Sequence, residues 1–198
     1  MAAWSAMEIS LVIFSYLLGS VPFGLLVAHL AGKGDIRTLG SGNIGATNVV
    51  RVVGKKQGAI TLFLDAGKGA LAVVLARWVS GESVALFAGV AAVLGHVFPV
   101  FLRFKGGKGV ATTLAVLLAL SPWVGMLTGA VWLAVFFSTR LSSLAAILAM
   151  MAAPSVAFLF SENGATPLVY ATLLLGALVI LRHRANIRRL VNGEETRL

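Results

Sequence analysis

Long apolar runs, each closed by a short polar or glycine-rich break, fill the chain from end to end. They lie near 9–30, 59–79, 83–102, 110–121, 123–139, 141–160 and 167–181. A helix needs about 20 apolar residues to cross the hydrocarbon of a bilayer. The pattern therefore predicts an all-α integral membrane protein with seven transmembrane helices. Only Ser121 and Pro122 separate the fourth and fifth runs, and a five-span arrangement with one or two re-entrant segments fits the same pattern. Pro122 and Pro167 stand where helices begin, whereas Pro22 and Pro154 fall within runs, where kinks are expected.

Composition supports lipid as the main solvent. Of 198 residues, 59% are hydrophobic and 12% charged, with a mean hydropathy of +0.95. Soluble domains carry about a quarter charged residues, and disordered chains are hydrophilic. Seven crossings would occupy about 140 residues, leaving short connections and a single membrane domain over 1–198. Cysteine is absent, which excludes disulfides, thiolate nucleophiles and cysteine-ligated metals. Residues 1–10 hold no basic residue and no small-residue cleavage pattern, so the first run reads as a span and not as a signal peptide.

Charge then sets the orientation. The chain has 16 Lys and Arg against 7 Asp and Glu, a net charge of +9. In a soluble protein this would favour nucleic-acid binding; between spans, basic residues mark cytoplasmic connections. Lys33, Arg37, Arg51, Lys55 and Lys56 share the first connection, Arg103, Lys105 and Lys108 the third, and Arg140 the fifth. Arg182, Arg184, Arg188, Arg189 and Arg197 fill the tail, which brings 14 of the 16 to one side. The N-terminus is thus expected outside and the C-terminus in the cytoplasm. Trp4, Trp78 and Trp123 fall near the outer span ends, where indole rings favour the interface. The outer connections at 80–82 and 161–166 are too short for a binding site, so the chemistry is expected on the cytoplasmic side.

Three polar segments lie there. In the first, Gly40, Gly42 and Gly45 match G-x-G-x-x-G, but no strand precedes them, so the dinucleotide reading fails its context test. A short helix over 44–53, stopped by Gly54, would align Thr47, Asn48 and Arg51 on one face. Hydroxyl, amide and guanidinium together suit a phosphate ester and its neighbouring hydroxyls. An ordinary interfacial turn is the plainer alternative. The second segment, with Lys105, Gly106, Gly107, Lys108, Gly109 and Thr112, opens a span. Gly109 stands where a Walker loop requires Ser or Thr, yet glycines and lysines at a helix start can form a phosphate nest. A tight turn with topogenic lysines explains it equally well. In the third, His183 and Asn186 share a helix face, with Arg189 a turn further on.

Ionisable residues inside spans complete the candidates. Asp65 and Lys68, at i and i+3, are expected to pair, as a structural ion pair or part of a substrate site. His96 approaches the glycine segment as an acid/base or phosphate-ligand candidate. His29 reads as interfacial. The chain lacks clustered aspartates for metal-dependent phosphoryl transfer, and its three histidines lack an aspartate at the H-x-x-x-x-D offset. HExxH and nucleophile-elbow motifs are missing too. No metal, cofactor or nucleic-acid partner is expected.

The stretch from Gly19 to Gly24, residues 40–51, Leu64 and Asp65 with Lys68 and Gly69, Gly95 and His96 through Gly109, and His183 to Asn186 resemble bacterial acyl-phosphate:glycerol-3-phosphate acyltransferases. The resemblance runs over nearly the whole chain. It implies a seven-helix fold in the bacterial inner membrane, with three motifs facing the cytoplasm. The implied reaction moves a fatty acyl group from acyl phosphate to the 1-hydroxyl of glycerol 3-phosphate, giving lysophosphatidic acid and phosphate. Carried over by position, Ser41 and Arg51 are essential first-motif residues, with Asn43, Thr47 and Asn48 beside them. Gly106, Gly107, Lys108 and Gly109 form the second motif, expected to seat the phosphate of the acyl phosphate. His183 and Asn186 match the third, and Glu194, with Glu195 adjacent, resembles its terminal acidic position. Thr47, Asn48, Arg51, Lys108, His183 and Asn186 are then the expected glycerol 3-phosphate contacts, and Ser41 and His96 the catalytic candidates. Asp65, Lys68, Lys105 and Thr112 would support them.

A transporter for a phosphorylated metabolite is the main rival, and a structural membrane protein a weaker one. A transporter should carry polar groups along a continuous path to the outer face. Here the fifth to seventh runs hold almost none.

Overall fold

A computed structural model describes residues 4–161, 164 and 166–198, so the 161–166 connection lies partly outside the described residues. All regular structure among them is helical: α1 Ala6–Ser20, α2 Phe23–Leu30, α3 Ala46–Val52, α4 Lys55–Val97, α5 Val110–Leu120, α6 Pro122–Thr139, α7 Ser142–Leu159, α8 Pro167–Arg182 and α9 Arg184–Val191. Short 3-10 turns occupy Ile36–Thr38 and Val100–Leu102.

Local chemistry explains the boundaries. Ser5 and Glu8 form a reciprocal capping box at the head of α1. The first apolar run does not continue as one helix, because Pro22 lacks an amide hydrogen and splits it into α1 and α2. Gly54 sits at φ 140° between α3 and α4, a conformation that stops the first helix and begins the second. Pro122 and Pro167 each occupy the first turn of their helices. Pro154 lies inside α7 without ending it.

Helix α4 is two helices folded back at Gly81, where φ is 79° and ψ −173°. A straight helix would hold Val73 and Gly89 about 24 Å apart, and Asp65 and His96 about 46 Å. Instead a β-carbon on Gly89 would lie 2.9 Å from Val73, and the His96 and Asp65 side chains approach to 3.5 Å. The arms are therefore 55–80 and 82–97. Arg77 pairs with Glu82 across the turn and donates to the carbonyls of Ala119 and Leu120, capping the end of α5.

The chain divides into two compact units, Met1–Leu120 and Ser121–Leu198. In the first, α1, α3 and α5 pack on the arms of α4, whose buried face is dominated by Ala72, Val73, Ala76, Ala85, Ala88 and Ala92. Small residues suit helices in lipid, where close backbone approach replaces the hydrophobic drive. Gly19 rests against the Ala92 backbone and Gly95 against Tyr16, so close that a β-carbon at either would overlap main-chain atoms. In the second unit, α7 packs between α6 and α8 and also touches α9. The last residue returns its amide to the Arg140 carbonyl at 2.9 Å.

Four segments are long and apolar enough to cross a membrane: Ala6–Leu30, Lys55–Leu102, Pro122–Thr139 and Ser142–Leu159. A fifth is reached if α8 and α9, bent by 61°, count together. At 11 residues α5 is shorter than a full crossing, so the fourth apolar run does not form a span-length helix.

Candidate functional site

In the first unit, a loop on α2 and α3 carries the first motif. Ile44 passes its carbonyl against the α-carbon of Gly24, which has no room for a β-carbon. Asn48 is fully buried, and its amide staples the loop: Nδ2 donates to the carbonyls of Ile36 at 3.2 Å and Leu39 at 3.1 Å. Its Oδ1 accepts the Ser41 amide hydrogen at 2.8 Å. Gly40 at φ 58° crosses directly over that Oδ1, and any side chain there would collide with it. These bonds make the Asn48 side chain a shaping element of the loop. Ser41 itself is exposed, and among the described residues its hydroxyl makes no hydrogen bond. Asn43 lies half-buried beside Gly45, and Thr47 and Arg51 are half-buried on α3.

Upstream, Asp35 caps the turn at Ile36–Thr38 and takes a forked pair from Arg37, whose hydrogen bonds hold the Asp35 carboxyl down at about 2. Both residues are exposed, so the pair orders the loop end and adds little stability.

The second motif leaves the end of α4 and enters α5. Gly106 donates its amide to the Val97 carbonyl at 3.2 Å, and Gly107 donates to the His96 carbonyl at 3.1 Å. Both amides, expected to point at a phosphate, thus already fasten the loop to α4. Gly109, buried at φ 86°, turns the chain into α5, whose first amide hydrogens have no helical carbonyl to meet. Lys108 is half-buried and Lys105 exposed.

Under this loop lies a buried ionic cluster. Lys68 Nζ stands 2.8 Å from Asp65 Oδ1 and donates at 2.9 Å to the Val21 carbonyl, which also takes the Phe23 amide hydrogen at 3.1 Å across the Pro22 break. It also sits 5.5 Å above the Phe23 ring. His96 Nδ1 faces the same Asp65 oxygen at 3.5 Å. Thr112 donates to the Asp65 carbonyl at 2.9 Å, tying the first turn of α5 to the first arm. The pairing of Asp65 with Lys68 follows from their spacing; the approach of His96 has no local signal, because it depends on the fold at Gly81.

In the second unit, His183 closes α8 with Nδ1 2.8 Å from the Val179 carbonyl, so the neutral ring carries its proton on Nδ1 and its lone pair on Nε2. Asn186 begins the next turn, buried. Glu195, and not Glu194, is the acidic partner here. Its Oε1 accepts from Ser143 at 2.7 Å and from Asn186 at 2.6 Å, and Oε2 from Arg189 at 2.6 Å. Glu194 is exposed and only its backbone bonds back, to Arg189. Burial opposes the Glu195 charge, but those three donors outweigh it and hold the carboxyl below its ordinary value. Two adjacent glutamates gave no sequence signal to choose between them, and Ser143 gave none at all. His29, at the end of α2, is exposed and outside both groupings.

Residues 9–193 match the family model described as glycerol-3-phosphate acyltransferase. The glycerol-3-phosphate acyltransferase of Dinoroseobacter shibae is 53% identical over 93% of this chain and 89% of its own. That of Brucella canis is 48% identical over 98% and 95%. Crystal structures of PlsY (YgiH), an integral membrane glycerol 3-phosphate acyltransferase, are similar throughout. The glycerol 3-phosphate form superposes with a TM-score of 0.90 at 47% identity, covering 98% of this chain and 96% of that one. The lysophosphatidic acid form gives 0.87 at 46% identity with the same coverage.

Proposed function

This chain belongs to the glycerol-3-phosphate acyltransferase family, and from that premise we propose that it acylates the 1-hydroxyl of glycerol 3-phosphate with acyl phosphate as donor. The products are lysophosphatidic acid and inorganic phosphate, and the membrane lipids around it receive the first. It is a multi-pass helical membrane enzyme. The reading extends to seven crossings, with α1 through α2 as one, the arms of α4 as two and the 11-residue α5 as a short one, the N-terminus outside and the three motifs facing the cytoplasm across the bacterial inner membrane. The placement of 14 of 16 basic residues supports it.

The observation that carries the chemistry is Ser41: Asn48 holds its backbone, and among the described residues no base bonds its hydroxyl. A serine nucleophile needs such a base. An acyl phosphate is a mixed anhydride and needs no protein nucleophile. The acceptor hydroxyl oxygen attacks the acyl carbon, an ester C–O bond forms, and the bond from acyl carbon to phosphate oxygen breaks with its electron pair leaving on phosphate. The hydroxyl proton passes to that phosphate. Ser41 orients the carbonyl or hydroxyl, Arg51 pairs with the acceptor phosphate, and the loop ending at Gly109 seats a substrate phosphate. His183 and Asn186 have the donor and acceptor groups that acceptor recognition requires, as the resemblance implies.

Purified protein should release phosphate from acyl phosphate in step with lysophosphatidic acid, and only when glycerol 3-phosphate is present. An acyl-Ser41 adduct that reacts onward with glycerol 3-phosphate would overturn direct transfer.

A further inference from the structure

The buried cluster of Asp65, Lys68 and His96 has no part in the transfer as derived above. Its burial needs a reason, because ions inside a membrane protein are costly and are kept where they do something. Lys68 offsets the Asp65 charge and binds Val21, which accounts for those two. It does not account for His96, an imidazole 5% exposed and turned with Nδ1 toward Asp65.

The opposite edge of the ring supplies the reason. His96 Nε2 abuts Gly107 so closely that a β-carbon there would overlap it. The same residue's carbonyl takes the Gly107 amide, and its neighbour Val97 takes that of Gly106. One residue therefore grips the loop by both its ring and its backbone. The loop turns at Gly109 and delivers the head of α5, whose start Thr112 ties to Asp65. Any tilt of the His96 ring would raise or lower Gly107 and re-aim those amide hydrogens.

We propose that His96, oriented by Asp65, is a positioning residue that sets the height of the glycine loop and so the seat of a substrate phosphate. This rests on the acyltransferase reading. The ligand chemistry is a phosphate monoanion or dianion, which either the acyl phosphate or glycerol 3-phosphate can supply. The ring stands behind the loop and moves no proton in the reaction.

Steady-state kinetics on the purified enzyme, varying palmitoyl phosphate and glycerol 3-phosphate in turn, test this with His96→Ala, His96→Gln and Asp65→Asn. His96→Ala should raise the KM of one substrate about tenfold, leave the other within about twofold, and keep most of kcat. The substrate affected identifies whose phosphate the loop seats. His96→Gln, which restores a side chain behind Gly107, should recover most of the loss, and Asp65→Asn should raise the same KM by a smaller factor. If His96→Ala does not fold, the selective rise in Asp65→Asn decides the matter. Unchanged KM values with a collapsed kcat, or an equal rise in both KM values, would overturn the proposal. A wild-type enzyme inactive with both substrates would instead count against the acyltransferase reading.

Discussion

The Ser41 amide hydrogen is bound by the side-chain oxygen of Asn48 at 2.8 Å, while the Asn48 amide group reaches back to Ile36 and Leu39. One buried side chain thus fixes three points of a loop whose one regular element is the short 3-10 turn at Ile36–Thr38. Asn48→Ala removes all three bonds, each worth about 1 kcal/mol, although the Ile36 and Leu39 carbonyls keep the amide hydrogens of Leu39 and Gly42. The variant should show a lower Tm and at least a tenfold fall in kcat/KM. Asn48→Asp keeps the acceptor but loses both donors, and should fare no better than about the alanine variant. Calorimetry with kinetics on the same preparations checks both.

Gly107→Ala places a methyl group where His96 Nε2 stands. The loop must lift, and activity should fall by about a hundredfold, the scale of a 1 Å misplacement. Gly129→Ala is the control: nothing lies within 4 Å of a β-carbon there, in the middle of α6. It should keep full activity and gain up to about 1 kcal/mol of helix stability.

Arg51→Lys keeps the positive charge but loses the planar fork that suits phosphate. Apparent KM for glycerol 3-phosphate should rise at least about tenfold, with less effect on the donor. A wild-type value would remove Arg51 from acceptor binding.

Glu195 makes stability depend on acid. Its folded carboxyl is held below the ordinary value of 4.5 by Ser143, Asn186 and Arg189, against the effect of burial. A depressed carboxylate contributes stability that is present above 4.5 and is lost as pH falls through the lower folded value. The Tm should therefore drop on acidification below that point, and Glu195→Gln should flatten the drop while lowering Tm at neutral pH. Glu194→Gln should change neither, since Glu194 has no side-chain partner among the described residues.

Single cysteines at the exposed positions Ser41, Lys105 and Arg184 should react in sealed cells only with reagents that enter the cytoplasm. A cysteine at exposed Ser83 should react from outside. The reverse pattern would invert the orientation.

Much of the fold was legible because its signals are local. The break at Pro22, the stop at Gly54, the connection around Gly81 and the pairing of Asp65 with Lys68 all follow from neighbours within one turn. The site was legible in its residue types and less so in its wiring. Nothing near His96 indicates Asp65, which reaches it through a hairpin. The spacing of Thr47, Asn48 and Arg51 placed Asn48 on a helix but could not tell that its amide serves loop carbonyls upstream. Glycine content marked the second motif as a nest, yet two of its amides turn inward to α4. The fourth run, 110–121, forms the helix Val110–Leu120, with Ser121 and Pro122 dividing it from the next as their residue types indicate.

The turn at Gly81 bears on how the protein is made. With a single residue between the arms of α4, there is no loop to thread separately, and on the proposed seven-crossing arrangement the two arms enter the bilayer together as a hairpin. The charges carried at its tip are Arg77 and Glu82, and they pair with each other. Moving a lone charge through the membrane potential involves work of about 2.3 kcal/mol per 100 mV. A tip that is neutral as a pair escapes that work, so insertion of this hairpin should proceed with little regard to whether the membrane is energised.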